Sequence, residues 1–194
     1  MAIVYLVGIK HSGKSSVGKE AVSLLNPTGS ISFFDTDDLA TALMDAHHAS
    51  LRQFYREQGK EAFMDLEYRA TAGLLAHLSG TTVIATGGGA CDNDPLVNLM
   101  RTSGTIVYLS VEEQVLFERI MAHGLPPFLD PADPRASFHA LYLHRDALYR
   151  QISDCVVSLS DYRSILGNAQ ILADCLRKIV GSEEPCREIP LEQH

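Results

Sequence analysis

Five short runs of the chain are apolar at nearly every position rather than at alternate ones: residues 3–7, 30–34, 82–85, 105–109 and 155–159. Runs of that length, rich in Val, Ile and aromatics, predict strands covered on both faces. Between them the rhythm changes to that of a helix. Val17, Ala21, Leu24 and Leu25 recur at helical spacing until Asn26-Pro27 stops the pattern, and Leu172, Cys175, Leu176 and Ile179 repeat it near the end. Ser110-Val111-Glu112-Glu113 has the S-x-x-E form of a capping box. It predicts a helix that Ser110 caps and that carries Val115, Leu116 and Ile120. The alternation of strands and helices predicts an α/β fold with a parallel sheet and right-handed crossovers.

Two segments depart from this order. Residues 37–79 contain several helical patterns between the second and third strands, enough for a helical segment that covers a substrate. Residues 123–135 contain four prolines and no helical period, which suits a surface lid. From Gly181 the chain is polar. The expected organisation is one domain over residues 1–180, with a C-terminal tail over 181–194.

Charge and composition narrow the function. The chain has 194 residues and a net charge of −8, so a broad nucleic-acid or anionic-membrane surface is disfavoured, and any bound anion needs a local cluster of donors. No apolar run approaches the roughly 20 residues of a membrane span. Residues 3–7 have no basic segment before them and lead straight into a glycine-rich loop, so they are read as a strand and not a signal peptide. Cys91, Cys155, Cys175 and Cys186 are scattered without a zinc-like spacing. Reduced thiols, a cytoplasmic location and a small-molecule partner are the expectation.

The chemistry begins at Gly8-Ile9-Lys10-His11-Ser12-Gly13-Lys14-Ser15, directly after the first strand. This G-x-x-x-x-G-K-S spacing lets backbone N–H groups turn inward on phosphate oxygens, and the following helix adds its positive N-terminal end. Gly8, His11, Ser12, Gly13, Lys14, Ser15 and Ser16 form the expected ATP-binding set. Lys14 reaches the β and γ phosphates, and the Ser15 hydroxyl is a ligand for Mg²⁺. His11 is either a nucleotide contact or merely a loop residue beside the phosphates.

Two further motifs end strands, where ligands of open parallel sheets bind. Phe33-Phe34-Asp35-Thr36-Asp37-Asp38 places carboxylates there, able to serve Mg²⁺, to accept a proton from a hydroxyl, or to cap the next helix. Ala85-Thr86-Gly87-Gly88-Gly89 exposes backbone to close approach by a ligand. Arg145, in Arg145-Asp146-Ala147-Leu148-Tyr149, could grip a carboxylate or phosphate in two-point fashion.

The loop, the F-x-D-T-D strand end, Gly59-Lys60-Glu61-Ala62-Phe63, A-T-G-G-G, the Pro-containing lid and R-x-x-x-Y together resemble shikimate kinase and its nucleoside-monophosphate-kinase-like relatives. The resemblance covers residues 3–159. It implies a three-layer P-loop kinase fold with a five-stranded parallel sheet and a lid that closes over ATP. It further implies that Asp37 binds ring hydroxyls and acts as catalytic base with Lys14, and that Asp35 joins Ser15 at Mg²⁺. Gly87, Gly88 and Gly89 would lie beside the substrate, and Arg145 would hold its carboxylate.

Three departures stand out against that pattern. Met64 follows Phe63 where the family has a second carboxylate-binding arginine, and residues 125–129 of the lid have no basic residue. His11 replaces a usual glycine. Arg135 is a substitute candidate for the lid arginine, and Arg52, Arg56 or Arg69 for the arginine missing at 64. The activity implied is ATP-dependent phosphorylation of a hydroxyl on a small carboxylated metabolite, with shikimate as acceptor. The alternatives are a kinase for another polyol or hydroxy acid, or a non-catalytic nucleotide-binding relative.

Overall fold

The computed structural model describes residues 2–26, 29–45, 47–126, 128–161 and 163–181. Strands β1 (Ile3–Val7), β2 (Ile31–Asp35), β3 (Thr81–Ala85), β4 (Thr105–Ser110) and β5 (Cys155–Ser158) form one sheet in the order β2-β3-β1-β4-β5. All four pairings are parallel. The apolar runs therefore became strands as expected, because a parallel sheet with helices on both faces buries side chains in both directions. Tyr5, Leu6, Val107, Tyr108 and Leu109 have no exposed surface.

Helix α1 (Lys14–Leu25) follows β1 and packs on α7 (Ile165–Gly181). The chain then crosses to β2 and β3 on one side of β1 before α4 (Asp94–Ser103) carries it back to β4 on the other. That reversal puts right-handed crossovers on opposite faces and opens a crevice at the carboxyl ends of the central strands. The result is the three-layer P-loop arrangement.

Among its described residues the region 37–79 holds two helices. Helix α2 (Thr36–Leu43) is followed by α3 (Leu51–Leu75), which bends at Gly59, where φ is 85° and ψ is 178°. Only glycine adopts that backbone without strain, so α3 has two arms. Ala40, Leu66 and Ala70 form a small core between α2 and α3, separate from the main one. Helix α5 (Glu113–Met121) and helix α6 (Pro134–Ile152) flank the proline-containing connection.

Three sequence expectations need correction or placing. Ser110 is the last residue of β4 and does not cap α5; the cap position is Glu112, which makes no side-chain capping bond. Glu113 instead pairs with Arg135 and His139 of α6, at 3.2 and 2.9 Å. Leu24 lies on the exposed side of α1, while Val17 and Ala21 are buried. The expected polar tail, beyond Gly181, lies outside the described residues.

Candidate active site

The strand registers bring the motifs to one rim. Leu6 lies beside Ala85 and Ala85 beside Asp35, so the loop after β1, the glycines after β3 and the carboxylate ending β2 emerge at one level. The two loops then meet directly. A side chain on Gly88 would collide with the backbone N and Cα of Lys10, so only glycine allows this contact.

Residues 10–16 line a cleft of about 720 Å³, joined by Asp35, Asp37, Arg119, Arg163 and Asn168. Within it, Lys14 is 8% exposed and donates to the carbonyls of Gly8 (2.7 Å) and Ile9 (3.1 Å). Burial pushes its ammonium down to about 8 against the pull of Asp37 and Asp35. Ser12 is buried with its hydroxyl unpaired among the described residues, a donor available to an anion. Ser16 donates weakly to the Gly13 carbonyl at 3.5 Å.

The Ser15 hydroxyl donates to Asp35 Oδ2 at 2.5 Å. Asp35 Oδ1 accepts the Asp37 amide at 3.0 Å, so Asp35 caps α2 while facing Ser15. A hydroxyl and a carboxylate sharing one point fit Mg²⁺, which takes one or two protein oxygens and completes its shell with phosphate and water. Among the described residues no cluster of three metal-binding side chains exists. That sparse donor set suits Mg²⁺ carried in by a nucleotide.

Beside this cleft is a pocket of about 300 Å³. Lys10, His11, Asp37, Glu67, Gly88 and Gly89 belong to both. Asp37 therefore stands at the junction. The protein crowded around its carboxyl raises its pKa, as does Asp35, while Lys14 and Lys10 oppose the rise. Glu67, on α3, is 3% exposed and is driven up to about 7 by burial, with Asp37 adding to the effect.

Arg145 lines the second pocket from α6. Its Nε and Nη2 donate to Asp92 Oδ2 at 3.2 and 2.8 Å, and its Nη1 donates to the Gly88 carbonyl at 3.0 Å. It thus fastens α6 to the glycine loop. Met64 lines the same pocket, its carbonyl accepting from Asn93 Nδ2 at 2.8 Å.

The replacement candidates separate cleanly. Arg52 lines the smaller pocket; Arg56 and Arg69 do not, and Arg69 pairs with Asp65 at 3.6 Å. Arg135 faces away from both clefts, bound to Glu113 and stacked over Phe117 at 4.8 Å. A cation that does face the loop is Arg119, which donates to the His11 carbonyl at 3.0 Å and pairs with Asp161. His11 itself has a φ of 66° and stacks on His123, ring centroids 4.9 Å apart. Burial and the neighbouring Lys10 lower its pKa to about 4.

Glu67, Asp92, Arg119, Arg163 and Lys60 were not singled out by sequence. Glu67 had a signal: it stands one helical turn after Phe63-Met64, on the same face as Lys60. Asp92 and Arg163 had none, because their role depends on loops meeting across the sheet.

The geometry agrees with comparison to known proteins. The family model for shikimate kinase matches residues 10–180. A shikimate kinase from Cupriavidus pinatubonensis is 32% identical over 158 residues, 79% of this chain and 76% of that protein. One from Neisseria meningitidis serogroup C is 31% identical over 81% of this chain and 88% of its own. In fold, the chain superposes on the shikimate kinase from Acinetobacter baumannii in complex with shikimate with a TM-score of 0.77 and 24% identity, covering 94% of this chain and 95% of that one. With a phosphate loop, a hydroxyl–carboxylate pair suited to Mg²⁺ and an adjoining small-molecule pocket on one rim, the chain belongs to the shikimate kinase family, ATP-dependent small-molecule kinases that work with Mg²⁺.

Proposed function

We propose that this enzyme transfers the γ-phosphoryl group of ATP to a ring hydroxyl of shikimate, giving shikimate 3-phosphate. The observation that carries the reading is the position of Asp37 in the wall shared by the nucleotide cleft and the smaller pocket. An acceptor hydroxyl bound there faces the carboxylate on one side and the phosphate loop on the other. The shikimate kinases similar to this chain, and the shikimate-bound relative in particular, support the choice of acceptor.

Phosphoryl transfer needs positioning and charge neutralisation more than covalent chemistry. Gly8, Ser12, Gly13 and Ser16 form the phosphate cradle, and Lys14 carries positive charge to the transferring group. Ser15 and Asp35 would hold Mg²⁺, which would supply positive charge against the phosphate groups. Asp37 accepts the hydroxyl proton; its raised pKa makes it a better base than an exposed aspartate. Gly87, Gly88 and Gly89 let the acceptor lie against backbone, and Arg145 aligns that wall.

We read residues 1–180 as one kinase domain, with residues 123–135 as its lid and His11–His123 stacking joining lid to loop. Cys155 Sγ and Cys175 Sγ lie 3.4 Å apart as hydrogen-bonded thiols, a state that suits the reducing cytoplasm. Among the described residues no helix is long and apolar enough to cross a membrane.

The test is ADP release from MgATP, with and without shikimate. Shikimate-dependent turnover that disappears in Lys14→Ala is the expected result. Binding of ATP without stimulation by shikimate refutes the acceptor.

A further inference from the structure

The acceptor pocket contains four cations: Lys10, Arg52, Lys60 and Arg145. They are not equivalent. Arg145 has three of its nitrogens engaged by Asp92 and the Gly88 carbonyl. Lys10 belongs to the phosphate loop, lines both clefts and has Asp37 as an opposite charge. Arg52 and Lys60 line the acceptor pocket alone, and neither makes an ion pair with a described residue.

The bend in α3 lets both of its arms line this pocket. Leu51, Arg52 and Tyr55 reach the pocket from the first arm; Lys60, Phe63, Met64 and Glu67 reach it from the second. The second set has the spacing i, i+3, i+4, i+7 of a single helix face. A straight α3 would turn the arms' faces apart; the left-handed backbone at Gly59 resets the phase between them. Two cations with no ion pair among the described residues are thereby set at the rim of a pocket lined by Tyr55, Phe63 and Met64.

We propose that Lys60 and Arg52 join Arg145 in gripping the acceptor's carboxylate, on the side of the pocket where Met64 offers no charge. A carboxylate offers two oxygens to these cations, and the charge-assisted bonds fix which end of the acceptor lies against α3. Asp37, shared with the nucleotide cleft, then meets the hydroxyl end. The clamp makes the enzyme selective for a hydroxy acid over a neutral polyol, with Met64 contributing only apolar surface.

This inference rests on shikimate being the acceptor, and one experiment separates the two. Turnover is measured with shikimate and with its uncharged methyl ester, for the wild type, Lys60→Ala, Arg52→Ala and Lys60→Arg. Loss of one charge-assisted bond raises the Michaelis constant by roughly tenfold or more. The expected result is such a rise for shikimate in both alanine variants. Their kcat should fall less than about threefold, with unchanged constants for the ester and for ATP, as for an interaction made equally in ground and transition states. Lys60→Arg should retain most of the affinity. Both side chains are exposed and unpaired, and melting curves check that the variants fold. If the alanine variants keep the wild-type constant for shikimate, the clamp is overturned while the acceptor stands. If the wild type shows no shikimate-dependent turnover, the acceptor reading falls and the clamp falls with it.

Discussion

The Glu67 carboxyl occupies the space that a side chain on Gly87 would take. Helix α3 and the glycine loop after β3 are thus fitted to each other at the wall of the larger cleft. Gly87→Ala has to displace the Glu67 carboxyl, which can swing only into the clefts it lines. The expected cost is about 1–3 kcal/mol of stability, as for overpacking elsewhere, together with a loss of turnover above tenfold. Thermal melts and steady-state kinetics on the same preparation read both.

The same glutamate makes stability depend on pH. Its folded pKa of about 7 lies above its ordinary 4.5, so the folded state holds a proton that the unfolded state releases. This stabilisation is complete below pH 4.5 and is lost as pH rises through 7. Glu67→Gln cannot lose that proton. The variant should equal the wild type near pH 4.5 and exceed it above pH 8, by up to about 3 kcal/mol. Urea unfolding at the two pH values measures the difference.

Lys14 titrates in the opposite direction. Burial lowers it to about 8, so its charge is present below that pH and disappears above it. Bound phosphate favours the charged form. The dissociation constant for MgATP should therefore rise about tenfold between pH 7 and 9. In Lys14→Met the affinity should be weak and nearly flat over the same range. Calorimetric titration at the two pH values reads both proteins.

Arg119 and Arg135 offer a contrast within one region. Arg119 contacts the His11 carbonyl and lines the nucleotide cleft, whereas Arg135 is occupied by Glu113 and Phe117. Arg119→Ala should raise the Michaelis constant for ATP roughly tenfold, the scale of one charge-assisted bond. Arg135→Ala should leave it within about twofold, on the same reasoning. Equal effects from the two substitutions would contradict the assignment.

Much of this was legible in the chain because parallel strands buried on both faces leave continuous apolar runs, and because a phosphate loop must be contiguous. For that reason Lys14, Ser15, Asp35 and Asp37, which the structure brings to one cleft, could be singled out without coordinates. The capping box at Ser110 failed because its S-x-x-E pattern coincided with the end of β4, and pairing with β5 claimed the backbone instead. The choice among Arg52, Arg56 and Arg69 was not legible. It depends on the phase of α3, and the bend at Gly59 resets that phase where no periodicity can report it. Lys60 escaped notice for the same reason. Arg119 was missed because its partner is a backbone carbonyl 108 positions away.

The central claim is that Asp37 takes the hydroxyl proton in the wall between the two clefts. Asp37→Asn keeps the shape of that wall and removes the base. The measurement is single-turnover phosphoryl transfer to shikimate, with the dissociation constant for MgATP determined alongside. A fall in the rate of at least about a hundredfold is predicted for loss of a general base, with ATP binding unchanged within a few-fold. Transfer at the wild-type rate in this variant would contradict the claim.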